Sequence, residues 1–205
     1  MMHTSPAALI ALHYQNDVVH EEGKIRVGLS ADSPQRAQLI QAAAGLMRRA
    51  RECLMPIIHV RIAFRPDYAD LLPNMPIMKS VAALGASADG TWGAQFHDSL
   101  MPDPASVREF VVTHTRINAF YGSRLQEILN IVRPERLLIA GVSTHSVVEG
   151  TVRHAADAGY DVYVAAPACA SASHQTHQAS LDSMSLMATI LDAQGVADFF
   201  NGIAS

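Results

Sequence analysis

Apolar runs of strand length alternate along the chain with stretches whose apolar residues recur at helical spacing. Strands are predicted over 7–13, 57–62, 109–113, 136–142, 161–166 and 187–191. Helices are predicted between them, over 34–54, 123–132, 145–159, 174–185 and 193–202. In the first helix Ala37, Ile40, Ala44, Leu46 and Met47 fall near one face, with Arg48, Arg49 and Arg51 towards its end. Ser33-Pro34 reads as an N-cap followed by proline at the first helical position. Pro134 stops the second helix and Gly159 closes the third. Between 63 and 108 the pattern weakens, interrupted by Pro66, Pro73, Pro76, Pro102 and Pro104, which predicts a long irregular segment covering a site or meeting another subunit.

Strands alternating with helices predict an α/β protein: a three-layer, Rossmann-like fold with a six-stranded, mainly parallel sheet and helices on both faces. The 205 residues suit one domain, 1–205, with no internal repeat or low-complexity tract. In such sheets ligands sit beyond the carboxyl ends of the strands, where the strand order reverses. His13 ends the first predicted strand, His114 follows the third, and the turn at 143–147 follows the fourth. All three therefore point to one crevice.

The segment RLLIAGVSTHSVVEGTVRHAADAGYD (136–161) reads as a buried strand, a tight turn and an amphipathic helix. It resembles the isochorismatase-like superfamily, the cysteine hydrolases, in which GV-x-T-x-x-C-V places a nucleophilic cysteine at the helix start. ALIALHYQND (8–17), GTWGAQFHDSLMPDP (90–104) and VVTHTRINAFYGSRL (111–125) resemble three further segments of that family in the same order. The resemblance implies the fold, a small-molecule substrate, a dimer or larger homo-oligomer, and a non-proline cis peptide at Val142-Ser143. It also exposes three departures: the family's Asp falls on His13, its Lys on His114 and its cysteine on Val147. A valine cannot attack a carbonyl, so the covalent route through that position is closed.

Two imidazoles have unperturbed pKa values near ~6.5, so one neutral and one protonated ring could act as base and acid on water. The plainer alternative has each His filling a vacated slot and bonding a carbonyl or water. The turn supplies a second element, because unsatisfied N–H groups at a helix start can hold an oxyanion whatever side chain stands at Val147. Ser143 and Thr144 are candidate substrate contacts in that turn, and both are equally candidate helix caps. Tyr14, Phe120 and Trp92 are candidate pocket walls, Phe120 being equally a core candidate. Asp17, Asn16 and Gln15 read as turn formers and loop anchors. His174 and His177 share one helix face, but no Cys or carboxylate completes a metal pattern, so neither metal nor cofactor is expected.

Composition bounds the remaining classes. With 49% apolar and 17% charged residues and a formal charge of -4, the chain lacks the basic excess of a nucleic-acid binder. No apolar stretch is long enough to span a membrane. The first apolar run is preceded by no basic region, and Cys53 and Cys169 are widely separated, which predicts a reduced, cytoplasmic protein without a required disulfide. Three readings follow: a hydrolase working by direct water attack with His13 and His114 as acid and base, a catalytically inactive small-molecule binder of the same fold, and a structural oligomer with a vestigial pocket.

Overall fold

The computed structural model describes residues 5–204. Six strands form one sheet: β1 (Ala7–Leu12), β2 (Ile57–Ile62), β3 (Glu109–His114), β4 (Arg136–Gly141), β5 (Asp161–Ala165) and β6 (Thr189–Leu191). Their order is β3-β2-β1-β4-β5-β6 and every neighbouring pair is parallel. Burial explains the composition of the strands. All six residues of β1 are buried, as a central parallel strand covered on both faces requires. The edge strand β3 instead alternates towards its end, with Val111 exposed and Val112 buried.

The principal helices are α1 (Asn16–Val19), α2 (Arg36–Glu52), α3 (Pro76–Leu84), α4 (Leu125–Val132), α5 (Glu149–Asp157), α6 (His174–Met184) and α7 (Ala193–Ala204). Along α2 the buried positions are Leu39, Ala43, Leu46, Met47 and Ala50, one stripe at the spacing that faces a sheet. The expected start of this helix shifts: Arg36 opens it after Gln35, and no side chain caps it. Ser33 contributes its carbonyl, which accepts from the Arg36 N–H at 3.4 Å.

The segment 63–108 is less irregular than its prolines suggested. Pro76 is the first residue of α3, where its missing N–H would have had no partner and its fixed φ suits the helix. Cys53 and Cys169 are free thiols. No helix among the described residues is long and apolar enough to cross a membrane.

The strand order reverses between β1 and β4, so their carboxyl ends flank the crevice where ligands bind in such sheets. These two strands approach closely because Gly141 lies opposite Leu12. A Cβ at Gly141 would fall 2.3 Å from the Leu12 carbonyl oxygen. The same crevice collects the elements described next.

Candidate functional site

His13 follows β1 with φ 56°, in the left-handed region that a side chain enters at a cost of about 1–3 kcal/mol. Its N–H donates to the Val60 carbonyl at 2.9 Å, which fixes the turn and sends the imidazole into the crevice. His114 is the last residue of β3. The two rings meet directly, with Nε2 to Nε2 at 2.5 Å and centroids 4.8 Å apart. His114 Nδ1 lies 3.3 Å from the Asn118 carbonyl oxygen, which only accepts, so Nδ1 carries the proton and Nε2 is bare. The hydrogen between the rings then belongs to His13 Nε2, and His13 Nδ1 keeps a free lone pair.

The result is a series: Asn118 carbonyl, His114, His13, crevice. It differs from the expected acid and base pair in two ways. The imidazoles bond each other rather than converging on a common ligand atom, and both are pushed towards the neutral form. Burial, helped by the neighbouring His114, holds His13 well below the ordinary imidazole range. Burial also pushes His114 down to about 4, against the Asn118 contact, which raises it. At neutral pH neither ring supplies the protonated partner.

A small cavity of about 50 Å³ opens beside His13. At roughly 10–15 Å³ per water it holds about three to five waters or a few heavy atoms of a ligand. His13, Ser143 and Val147 line it, together with Ser146 and Arg116. Much of the remaining wall is aliphatic, from Ile62 at the end of β2 to Met78 and Val81 of α3. Gly28 forms another part of the wall against Val142, whose Cγ1 lies 1.9 Å from where a Cβ at Gly28 would stand.

The peptide Val142-Ser143 is cis, at the position implied by the sequence. After it the chain makes a wide π-type turn over Thr144–Val148 before α5, where one continuous helix over 145–159 was expected. The Ser143 carbonyl accepts from the N–H groups of Ser146 at 3.2 Å and Val148 at 3.3 Å, skipping that of Val147. Ser143 is among the residues lining the cavity, while its hydroxyl itself is buried and has no partner among the described residues. Neither it nor the Thr144 hydroxyl caps this helix.

The other expected contacts lie elsewhere. Thr144 is fully buried and its Oγ1 pairs with His177 Nδ1 at 2.8 Å. Tyr14 is core, its hydroxyl donating to the Ala168 carbonyl at 2.5 Å. Phe120 is buried and stacks on His154 at 4.3 Å between centroids. Trp92 is half exposed and meets His20 edge-on. None of the four lines the cavity: apolar burial claimed Tyr14 and Phe120, and Trp92 turned to the surface. Asp17 anchors loops, accepting from the N–H groups of Ser87 at 2.7 Å and Lys24 at 3.2 Å. No cluster of three or more His, Cys, Asp or Glu side chains is placed to hold a metal among the described residues. Two residues missed in the sequence, Arg116 and Asn118, belong to the segment that carries His114; their signal was their spacing of two and four from it.

A doubly wound parallel sheet with a polar series and a small cavity at its switch point defines an α/β protein built around a small-molecule crevice. The isochorismatase-domain family profile matches residues 7–195, and the chain belongs to that family. It is 23% identical over 164 residues to a maleamate amidohydrolase from Pseudomonas putida, covering 78% of this chain and 73% of that protein. Over 102 residues it is 31% identical to a protein of Arabidopsis thaliana named as a probable inactive nicotinamidase, covering 49% and 51% of the two chains. An isochorismatase family protein from Desulfovibrio vulgaris has the same fold, with a TM-score of 0.83 and 24% identity over 97% of this chain and 100% of that one.

Proposed function

We propose that the chain is a small-molecule hydrolase that works by direct water attack, with His13 as the base and His114 behind it. The observation that carries this reading is the 2.5 Å contact between the two Nε2 atoms, ended by the Asn118 carbonyl. Water in the cavity gives a proton to His13 Nδ1 as its oxygen attacks the substrate's carbonyl carbon. The imidazolium so formed donates through Nε2–H to His114, which spreads the charge towards Asn118. The same proton then passes to the leaving group, and His13 returns to its neutral form. Because its pKa is depressed, the base is fully in its active form at neutral pH but is intrinsically weak, and the second imidazole offsets this by stabilising the charge.

The oxyanion is held at the turn after β4. The Thr144 N–H is given to the Ala170 carbonyl and those of Ser146 and Val148 to the Ser143 carbonyl, so the donors there fall to the N–H groups of His145 and Val147, beside the buried Ser143 hydroxyl. Val147, with 1% of its surface exposed, stands at the nucleophile's position and closes the covalent route through it. Membership of the isochorismatase family supports hydrolysis, and the relationship to an amidohydrolase supports an amide among the substrates to be tried.

A second reading, a binding protein without turnover, is favoured by that same valine and by the relationship to a protein named as inactive. One screen separates the two. Amides, ureas, esters and vinyl ethers are incubated with the wild type, with His13→Asn, which tolerates the left-handed backbone, and with His114→Ala. Hydrolysis in the wild type that falls about 100- to 10,000-fold in His13→Asn, and less in His114→Ala, supports the hydrolase. Turnover unchanged in both variants excludes the assigned roles, and binding without turnover supports the second reading.

A further inference from the structure

The peptide between Asn118 and Ala119 stands between the histidine series and α5. Its carbonyl oxygen is the group that meets His114 Nδ1 at 3.3 Å. Its N–H donates to Thr151 Oγ1 at 3.2 Å, inside the protein. Ala119 and Thr151 are both fully buried, so no bulk water competes for that bond. Thr151 lies in the first turn of α5, and the other buried positions of this helix are the apolar Val152 and Ala155. A hydroxyl in such a place is costly unless it is bonded, and the Ala119 N–H is its partner. The rest of the turn is held as well: the Phe120 N–H donates to Asn118 Oδ1 at 2.9 Å, and Ser123 Oγ donates to the Ala119 carbonyl at 2.6 Å. A Cβ at Gly150 would stand 3.9 Å from Asn118 Cα, so the turn runs closely along α5.

A trans peptide is planar, with its N–H and C=O pointing opposite ways. Fixing the N–H on Thr151 therefore aims the carbonyl at His114, and a carbonyl only accepts. This holds the His114 proton on Nδ1, which leaves the hydrogen between the rings on His13 Nε2 and a lone pair on His13 Nδ1. Turned over, the same peptide would present its N–H to His114 Nδ1. The proton would then sit on His114 Nε2, His13 Nε2 would accept it, and His13 Nδ1 would carry a hydrogen. The histidine that lines the cavity would be a donor in place of a base.

We infer that Thr151 is a positioning residue of the histidine series: through the Asn118-Ala119 peptide it sets the direction of the shared hydrogen and so keeps a lone pair on His13 Nδ1. It touches neither water nor substrate in this scheme. Its effect on the proton positions stands on the geometry alone, and its effect on turnover rests on the hydrolase reading. Holding a catalytic imidazole in its working tautomer is worth up to about 10,000-fold in rate. The loss expected here is smaller, because Asn118 and Ser123 still tie the turn when the hydroxyl is gone.

Two variants separate the hydroxyl from the space it fills. Thr151→Val keeps the shape and removes the hydroxyl, whereas Thr151→Ser keeps the hydroxyl and removes the methyl. In ¹⁵N spectra of the imidazoles at neutral pH, Thr151→Ser is expected to hold the His114 proton on Nδ1, as the wild type does. In Thr151→Val that proton moves to Nε2 in a large share of the molecules, and the His13 proton moves to Nδ1. On a substrate found in the screen, Thr151→Val lowers kcat about 10- to 100-fold with little change in KM, and Thr151→Ser recovers most of the loss. Wild-type proton positions in Thr151→Val overturn the assignment, because a hydroxyl that only satisfies a buried N–H would change stability and leave the rings as they were. Shifted protons in a protein whose wild type turns nothing over keep the positioning role and remove hydrolysis. Shifted protons with unchanged kcat keep it too and remove His13 as the base. Should Thr151→Val not fold, Thr151→Ala, with the residue that suits a helix best, takes its place under the same outcomes.

Discussion

Two buried histidine sites stand on neighbouring strands of the same sheet, and they are built on opposite plans. His59 in β2 is fully buried, and its Nε2 donates to Glu109 Oε2 at 2.9 Å. Arg51 closes on the same carboxylate through both oxygens, at 2.8 and 3.0 Å, and the Asp103 N–H adds a bond at 2.9 Å. Burial opposes the Glu109 charge, but these hydrogen bonds outweigh it and hold the carboxyl well below the usual range. The spare nitrogen of this site, His59 Nδ1, is sealed inside the protein. His13 and His114 have no carboxylate, only each other and a carbonyl, and the spare nitrogen of their series belongs to a residue that lines a cavity. A closed ionic network ties β2, β3 and the end of α2 together, while a neutral one ends on a residue that lines a cavity. Both lower a histidine pKa, so the shift alone does not mark the site; access does.

The sharpest way to break this contrast is to cut each network once. Glu109→Ala leaves a buried imidazole and a solvent-reachable guanidinium without their partner, and is expected to cost about 1–3 kcal/mol in unfolding free energy with kcat changed less than about twofold. His13→Asn is expected to do the reverse, losing turnover with a much smaller change in urea midpoint. If Glu109→Ala spares stability, or His13→Asn lowers it as much as Glu109→Ala does, the two sites are not different in kind.

The next effect is smaller and depends on pH. His13, His59 and His114 are all lowered from 6.5 in the folded protein. As pH falls below that value the unfolded chain binds protons that the folded one refuses, so stability declines from about pH 6.5 towards 4. His114 alone accounts for a loss on the order of 3 kcal/mol by pH 4, and the other two add to it. Glu109, also lowered, adds its own loss below its ordinary value of 4.5. Urea midpoints measured from pH 7 to 4 follow this fall, and the double variant His13→Asn, His114→Asn flattens it. An unchanged slope in the double variant contradicts the neutral pair.

The sequence conveyed the sheet well because its signals were local. The runs AALIAL and RLLIAG are apolar for the reason that puts them at the centre of a parallel sheet, and the turn after β4 lies where the motif placed it. What failed depended on contacts between distant residues. Pro76 was read as an interruption, yet at the first position of a helix it is a start signal, and only the packing of Met78 and Val81 shows which applies. Tyr14 follows His13, and the left-handed backbone between them sends one into the core and the other to the crevice, a choice no periodicity encodes. The convergence of His13 and His114 was readable from topology, but their direct contact required side-chain positions 101 residues apart in sequence. Arg116 escaped notice because a lone arginine in a loop resembles any solvated charge until its place in the cavity wall is seen.

The ring nitrogens of the two histidines offer the most direct measurement. In a ¹⁵N titration of the imidazoles from about pH 8 to pH 5, His114 is expected to hold its proton on Nδ1, His13 on Nε2, and neither to take up a second proton across the range. Two rings that titrate independently near 6.5 would contradict the shared, neutral series on which the proposed chemistry rests.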